Sequence, residues 1–160
     1  MKSFDFTLTL RDTDAAGVAF FAAYFSLAHE AYERALAACG APLHTWLDEL
    51  HLPIVHAEAD YSAPMRLGDQ LTLHVGYAKL GKRSFEIRTT FTHATPHASQ
   101  AVASEVDAMK EGAVQLSEGQ AAKVKLATVK TVHVAVVDGR SSPLPPRLIQ
   151  ALEALGPHAE

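Results

Sequence analysis

The sequence predicts an α+β chain in which an antiparallel sheet of five strands wraps one long helix, and three features carry that prediction. Five segments alternate apolar and polar residues with the period of two that a half-buried strand requires. No Gly or Pro interrupts Ala22–Cys39, where Ala, Leu and Glu dominate. The strands after that helix follow one another through turn residues and do not alternate with further long helices. With 160 residues and 48% hydrophobic content there is enough apolar surface for one core, so 1–160 reads as a single domain.

Phe4, Phe6, Leu8 and Leu10 alternate with Asp5, Thr7 and Thr9, which gives the first strand. The long helix starts just after the Asp12-Thr13-Asp14 turn and runs about 16 residues, roughly 24 Å. Tyr24, Leu27, Ala28, Ala31, Ala35 and Ala38 recur at three- and four-residue steps, opposite a narrower charged strip of Glu30, Glu33 and Arg34. The helix is therefore mostly buried, and its alanines admit close approach of other backbone. Gly40 and Pro42 end it. Leu43, Trp46, Leu47 and Leu50 at helical spacing predict a short second helix within Ala41–Leu52, which Pro53 stops.

Ile54–Tyr61 is the second strand. Leu71, Leu73, Val75 and Tyr77 form the third, and a tight turn at Leu80–Arg83 leads into a fourth with Phe85, Ile87, Thr89 and Phe91 on one face. These two make an antiparallel hairpin. A long fifth strand spans Lys123–Val137, with Val124, Leu126, Thr128, Lys130, Val132, Val134 and Val136 in one register. Asp138-Gly139 turns the chain, and Arg147–Leu155 is a short amphipathic terminal helix. The stretch 93–122 interrupts this order and reads as a helical or mobile insertion, a candidate lid or partner contact.

Fourteen basic residues against eighteen acidic ones give a net charge of −4, so no global positive field draws nucleic acid. The N-terminal run carries Asp5 and no cleavage signature, and no apolar stretch is long enough to span a bilayer. A single cysteine, Cys39, fits a reducing compartment. The expectation is a cytoplasmic protein without membrane or nucleic-acid partners. The histidines are scattered and no HExxH or Cys/His cluster accompanies them, so no metal is expected. No GxSxG elbow is present, which removes the serine hydrolases of the α/β type.

Chemistry concentrates where the polar turn meets the apolar helix. Asp12 and Asp14 both suit capping of free N–H groups, but two aspartates make one cap redundant. The sharper reading makes Asp14 a catalytic carboxylate and leaves the helix N-terminus to a substrate carbonyl. Phe20, Phe21, Tyr24 and Phe25 can wall a flat pocket or simply belong to the core. Lys79, Lys82, Arg83 and Ser84 surround a glycine turn that can meet phosphates or form a solvated hairpin tip, with Arg66 a further cation. Glu30 can orient a water or Asp14, or hydrogen-bond to the sheet.

The run Asp12-Thr13-Asp14-Ala15-Ala16-Gly17-Val18, the pair Phe20-Phe21 and the segment His29-Glu30-Ala31-Tyr32-Glu33 resemble the 4-hydroxybenzoyl-CoA thioesterase family of hotdog-fold proteins. Within it the likeness is greatest to the 1,4-dihydroxy-2-naphthoyl-CoA hydrolases, and it extends through Ala57–Tyr61, Gly68-Asp69, Gly81–Phe85 and Thr131–Val134. The resemblance implies a hotdog fold and hydrolysis of an acyl-CoA, with coenzyme A as part of the substrate and no separate cofactor. It implies Asp14 as nucleophile or general base, with backbone N–H groups at Gly17 and Phe21 polarising the thioester. Relatives acting on short aliphatic acyl groups often carry His where this chain has Phe21, which turns the expectation toward an aromatic acyl group such as 1,4-dihydroxy-2-naphthoyl. Phe20, Tyr24, Lys82, Arg83 and Ser84 follow as substrate-binding candidates, and a homodimer pairing into a homotetramer as the assembly. Ala19, five residues after Asp14, stands where hotdog hydratases carry His. The competing readings are a broad short-chain or hydroxybenzoyl-type thioesterase and a non-catalytic acyl-CoA-binding or interaction protein.

Overall fold

The computed structural model describes residues 1–46, 49–94 and 124–158. Five strands form one antiparallel sheet: β1 (Lys2–Thr7), β2 (Ile54–Tyr61), β3 (Gln70–Leu80), β4 (Ser84–His93) and β5 (Lys125–Val134), in the order β1-β3-β4-β5-β2. The long helix α1 (Phe21–Ala38) and the terminal helix α2 (Pro146–Leu155) both pack on β3 and share one hydrophobic cluster with the sheet. The sheet therefore carries two helices. The predicted insertion over 93–122 lies outside the described residues, apart from His93 and Ala94 at the end of β4.

The buried stripe of α1 is Ala23, Tyr24, Leu27, Ala28, Ala31, Tyr32, Ala35 and Leu36, the three- and four-residue spacing expected of one helix face. Ala31 and Ala35 are fully buried beneath it. On the sheet, Leu71, Leu73, Val75, Phe85, Ile87 and Phe91 supply the facing side chains. Each of the larger ones contributes roughly 1.5–3 kcal/mol on burial. The opposite face holds half-buried polar residues, among them His74, Arg88, Thr90, Thr128 and Lys130. There Gly76 gives passage to the chain end. A Cβ at Gly76 would stand 2.7 Å from the His158 backbone nitrogen, and the His158 N–H donates to the Tyr77 carbonyl.

Four expectations need correcting. The first strand ends at Thr7, because Leu10–Asp12 winds into a 3-10 turn closed by reciprocal bonds between Thr9 and Asp12. The helix begins at Phe21, not directly after Asp14, and runs 18 residues. Within Ala41–Leu52 the described residues hold one 3-10 turn, Leu43–Thr45, in which the Thr45 hydroxyl bonds back to the Pro42 carbonyl at 2.8 Å; residues 47 and 48 of the predicted helix lie outside the described residues. On β5 the core set is Leu126, Ala127, Val129 and His133, while Val132 and Val134 are only half-buried. A register shift against β4 at Phe91/Thr92 puts neighbours Leu126 and Ala127 both in the core and moves the valines off it.

The β3–β4 hairpin is as expected, closed by the Gly81 N–H donating to the Ser84 carbonyl at 2.9 Å. Asp138 and Gly139, at φ of 50° and 72°, turn β6 (Val136–Val137) onto β7 (Arg140–Ser141).

Among the described residues His133 is the one histidine in the core. Its ring lies parallel to Phe85 at 4.9 Å and beside Tyr32 at 4.7 Å, and it bonds to the Leu52 carbonyl and the Thr131 hydroxyl. Burial lowers its pKa to about 4 from 6.5, although the Leu52 carbonyl opposes this. The unfolded chain therefore takes up the proton first, so this contribution to stability is complete above pH 6.5 and is lost between pH 6.5 and 4. At pH 4 the loss from this residue is about 3 kcal/mol. Urea titrations across that range should give a pH slope that is markedly flatter in His133→Phe than in wild type.

Candidate active site

The loop from Asp12 to Phe20 is held against the β2–β3 connection by backbone pairs. The Ala19 N–H donates to the Met65 carbonyl at 2.9 Å, the Leu67 N–H to the Gly17 carbonyl at 3.1 Å, and Val18 pairs with Arg66. Gly17 takes φ of +72°, a conformation that strains residues with a side chain. These contacts bring the chain to Phe20, the residue before α1, in extended conformation and with no side-chain cap. The N–H groups of Phe21 and Ala22 have no hydrogen-bond partner among the described residues. An uncapped helix start of this kind favours a carbonyl oxygen that becomes negative.

The two aspartates divide the work. Asp12 is buried, and its Oδ2 accepts from the Thr9 N–H at 3.0 Å and the Thr9 hydroxyl at 2.5 Å, with Arg11 Nε at 3.4 Å from Oδ1. Burial pushes its pKa upward, but the Thr9 donors and the Arg11 charge together hold it below the ordinary value. Asp12 is therefore a structural brace. Asp14 is exposed; its Oδ1 accepts from the Ala16 N–H at 2.8 Å and the Val18 N–H at 3.3 Å, which orients the carboxylate and leaves Oδ2 without a partner among the described residues.

Gly17 and Phe21 fare differently as donors. The Gly17 N–H is committed to the Asp14 carbonyl at 3.0 Å, so it reaches a substrate oxygen only by releasing that bond. Phe21 N–H is open. Tyr24 is buried between Tyr61 at 4.7 Å and Phe91 at 5.7 Å; burial raises its pKa, against a contact with the Met65 backbone. Phe20 and Phe21 stand edge to face at 6.3 Å, and Phe21 is 71% exposed.

The same end of the sheet carries exposed Leu10, Tyr61, Leu67 and Val124. Sequence reading missed these four as site residues. The signal available was Leu10 and Leu67 beside turn residues, where burial is not expected. Arg66 also belongs here, pinned by its N–H to Asp69 Oδ2 at 2.7 Å.

Lys82, Arg83 and Ser84 do not join this group within one chain. They sit at the β3–β4 turn, at the far end of an 11-residue strand whose near end is Gln70, roughly 30 Å away by strand rise. Their backbone serves the fold, since the Lys82 and Arg83 carbonyls accept from Leu144 and Ala135 at 2.9 Å. Glu30 is exposed on α1, 3.9 Å from Arg34, on the helix flank and not in the core. Among the described residues no group of three His, Cys, Asp or Glu side chains is placed to hold a metal.

Residues 8–152 match the model of the thioesterase-like superfamily. A 1,4-dihydroxy-2-naphthoyl-CoA hydrolase from Synechococcus elongatus is 41% identical over 98 residues, 58% of this chain and 72% of that protein. One from Acaryochloris marina is 32% identical over 145 residues, 89% of each chain. In structure, a 1,4-dihydroxy-2-naphthoyl-CoA thioesterase from Synechocystis superposes with a TM-score of 0.73 at 24% identity, over 94% of this chain and 93% of that one. A gentisyl-coenzyme A thioesterase gives 0.70 at 22%, over 94% and 99%.

The split between the aspartates is testable. Asp12→Ala removes the acceptor from the Thr9 N–H and hydroxyl and should lower unfolding free energy by about 1 kcal/mol. Denaturant melts of Asp12→Ala and Asp14→Ala, run side by side, should place the larger loss on Asp12.

Proposed function

Because the chain belongs to the thioesterase-like superfamily, we propose that it hydrolyses an aromatic acyl-CoA thioester, with 1,4-dihydroxy-2-naphthoyl-CoA as the leading substrate. The observation that carries the reading is the oriented Asp14 carboxylate, one oxygen free, on the loop that leads into an uncapped helix start. The thioester oxygen accepts from the Phe21 and Ala22 N–H groups as it becomes negative, and the helix dipole favours that charge. Asp14 Oδ2 either attacks the carbonyl carbon, giving an acyl anhydride that water cleaves, or takes the proton of an attacking water. Both routes expel the coenzyme A thiolate and need no further cofactor.

An exposed apolar rim of Leu10, Phe20, Phe21, Tyr61 and Leu67 suits a flat acyl group. Arg66, which pairs with Val18 and adjoins Leu67 of this rim, is a candidate for a coenzyme A phosphate. For Lys82, Arg83 and Ser84 the assembly matters. β2 is an edge strand pairing only with β5, and seven of its eight residues are exposed. We take a second copy to pair there antiparallel, which carries the partner's hairpin tip to the same end of the assembly as this chain's Asp14. Two such dimers form a tetramer. No helix among the described residues is long and apolar enough to cross a membrane, and the lone Cys39 suits the reducing cytoplasm we assign to it.

Thiol release from naphthoyl, hydroxybenzoyl, phenylacetyl and short aliphatic CoA esters should be fastest on the naphthoyl ester. Asp14→Asn should lower it by roughly 10²–10⁴-fold with folding intact. Phe21→Pro removes one donor at a helix position that tolerates proline, and should lower kcat by roughly 10²-fold relative to Phe21→Ala. Undiminished turnover in Asp14→Asn would return that residue to a purely structural role.

A further inference from the structure

The connection between β2 and β3 does more than join two strands. Its residues 66–69 bond to the backbone on both sides of the loop that carries the two aspartates. Before that loop, the Leu8 N–H donates to the Asp69 carbonyl and the Leu8 carbonyl accepts from the Gly68 N–H, both at 2.9 Å. After it, the Leu67 N–H donates to the Gly17 carbonyl at 3.1 Å and Val18 pairs with Arg66. Residues 9–16 are thereby closed at both ends on one turn, and Asp14 rides between those ends.

This turn has a closure of its own. The Asp69 N–H donates to the Arg66 carbonyl at 3.0 Å, and the Arg66 N–H donates to Asp69 Oδ2 at 2.7 Å. The second bond is short and its acceptor is charged, which places it in the stronger class of N–H···O bonds. Among the described residues Asp69 has no hydrogen bond to Asp14 or to the first N–H groups of α1. Whatever it does for the site, it does through the turn. The donors that hold Asp14 Oδ1, the Ala16 and Val18 N–H groups, flank Gly17, where the loop is pinned to Leu67. A shift of that end relative to Leu8 therefore moves the carboxylate, and a displacement of about 1 Å can cost a reaction roughly 10²-fold.

We propose that Asp69 is a positioning residue for Asp14: its carboxylate locks residues 66–69, and the locked turn fixes the spacing of Leu8 and Gly17 and so the aim of the Asp14 carboxylate. Asp12 braces the loop from within through Thr9, whereas Asp69 fixes both of its ends. The catalytic consequence rests on the thioesterase reading; the geometric one does not.

Amide spectra of the full chain read the geometry without substrate. In Asp69→Ala the Ala16 and Val18 amide resonances should shift, and the Ala19 and Leu67 amides should exchange with solvent roughly tenfold faster, while Leu73 in the core of β3 keeps its protection. Asp69→Asn keeps an oxygen acceptor and should restore both. Turnover of the naphthoyl ester should fall roughly 10- to 10²-fold in Asp69→Ala and stay near wild type in Asp69→Asn. Made in the Asp14→Asn background, Asp69→Ala should cost less than about twofold, because no carboxylate is left to aim.

Unmoved Ala16 and Val18 resonances in Asp69→Ala would overturn the proposal. So would an Asp69→Asn variant that behaves like Asp69→Ala, or an equal fold loss of turnover with and without Asp14. Loss of protection at Leu73 would also overturn it, since Asp69 would then serve the fold as a whole. Amide changes that Asp69→Asn reverses, in a protein that hydrolyses no CoA ester, would leave the positioning role standing and remove only the thioesterase reading.

Discussion

The short backbone pairing between Gly17–Ala19 and Met65–Leu67 is the constraint on which the rest of the structure depends. It holds the incoming chain extended up to Phe20 and so dictates where α1 begins. A capping side chain at that junction would satisfy the first N–H groups and close them to any ligand. Phe20 offers none. The turn instead spends its polar side chains elsewhere, Asp12 on Thr9 and one oxygen of Asp14 on Ala16 and Val18. The helix start stays open because the clamp, not a cap, holds it in place.

Stability comes from the other end of the argument. The alanine-rich stripe of α1 lets the helix sit close to β3, β4 and β5, and the larger residues Leu27, Tyr32 and Leu36 lock it there. That burial tolerates a helix start with unsatisfied donors and an apolar rim left in water, both of which are unfavourable on their own. The arrangement is the usual one for sites, in which local stability is given up where a ligand is to be met.

Much of this was legible in the sequence for a physical reason: alternation in β1, β3 and β4 and the three- and four-residue spacing in α1 each reflect a single buried face. Legibility failed where that simple relation failed. On β5 the shift at Phe91/Thr92 broke the period of two, so Val132 and Val134, which read as core, are half-buried, and His133 is inside. At Leu43–Thr45 the apolar spacing reads as a helix, while the described residues hold a 3-10 turn whose Thr45 hydroxyl bonds back to Pro42. In the candidate site Asp14 and Phe21 were legible from their neighbours, but the division between Asp12 and Asp14 was not, since it depends on which carboxylate Thr9 reaches. Lys82, Arg83 and Ser84 look adjacent to the site in a list of motifs. Strand order places them at the far end of β3, and strand order is a property of non-local pairing that a single sequence does not display.

That order also sets how the molecule assembles. β1 and β2 are consecutive strands in the sequence, yet they form the two opposite edges of the sheet, with β3, β4 and β5 between them. Neither edge can close until the interior strands are present, whereas the β3–β4 hairpin needs only its own short turn. Loop-closure entropy therefore favours the hairpin, whose contacts are local, over the edges, whose partners are distant in sequence. The clamp at Met65–Leu67 lies between edge strand β2 and β3, so the geometry of the loop bearing Asp14 depends on both strands being seated. A chain that has collapsed but not yet seated its edges would carry every residue of the site and none of its alignment.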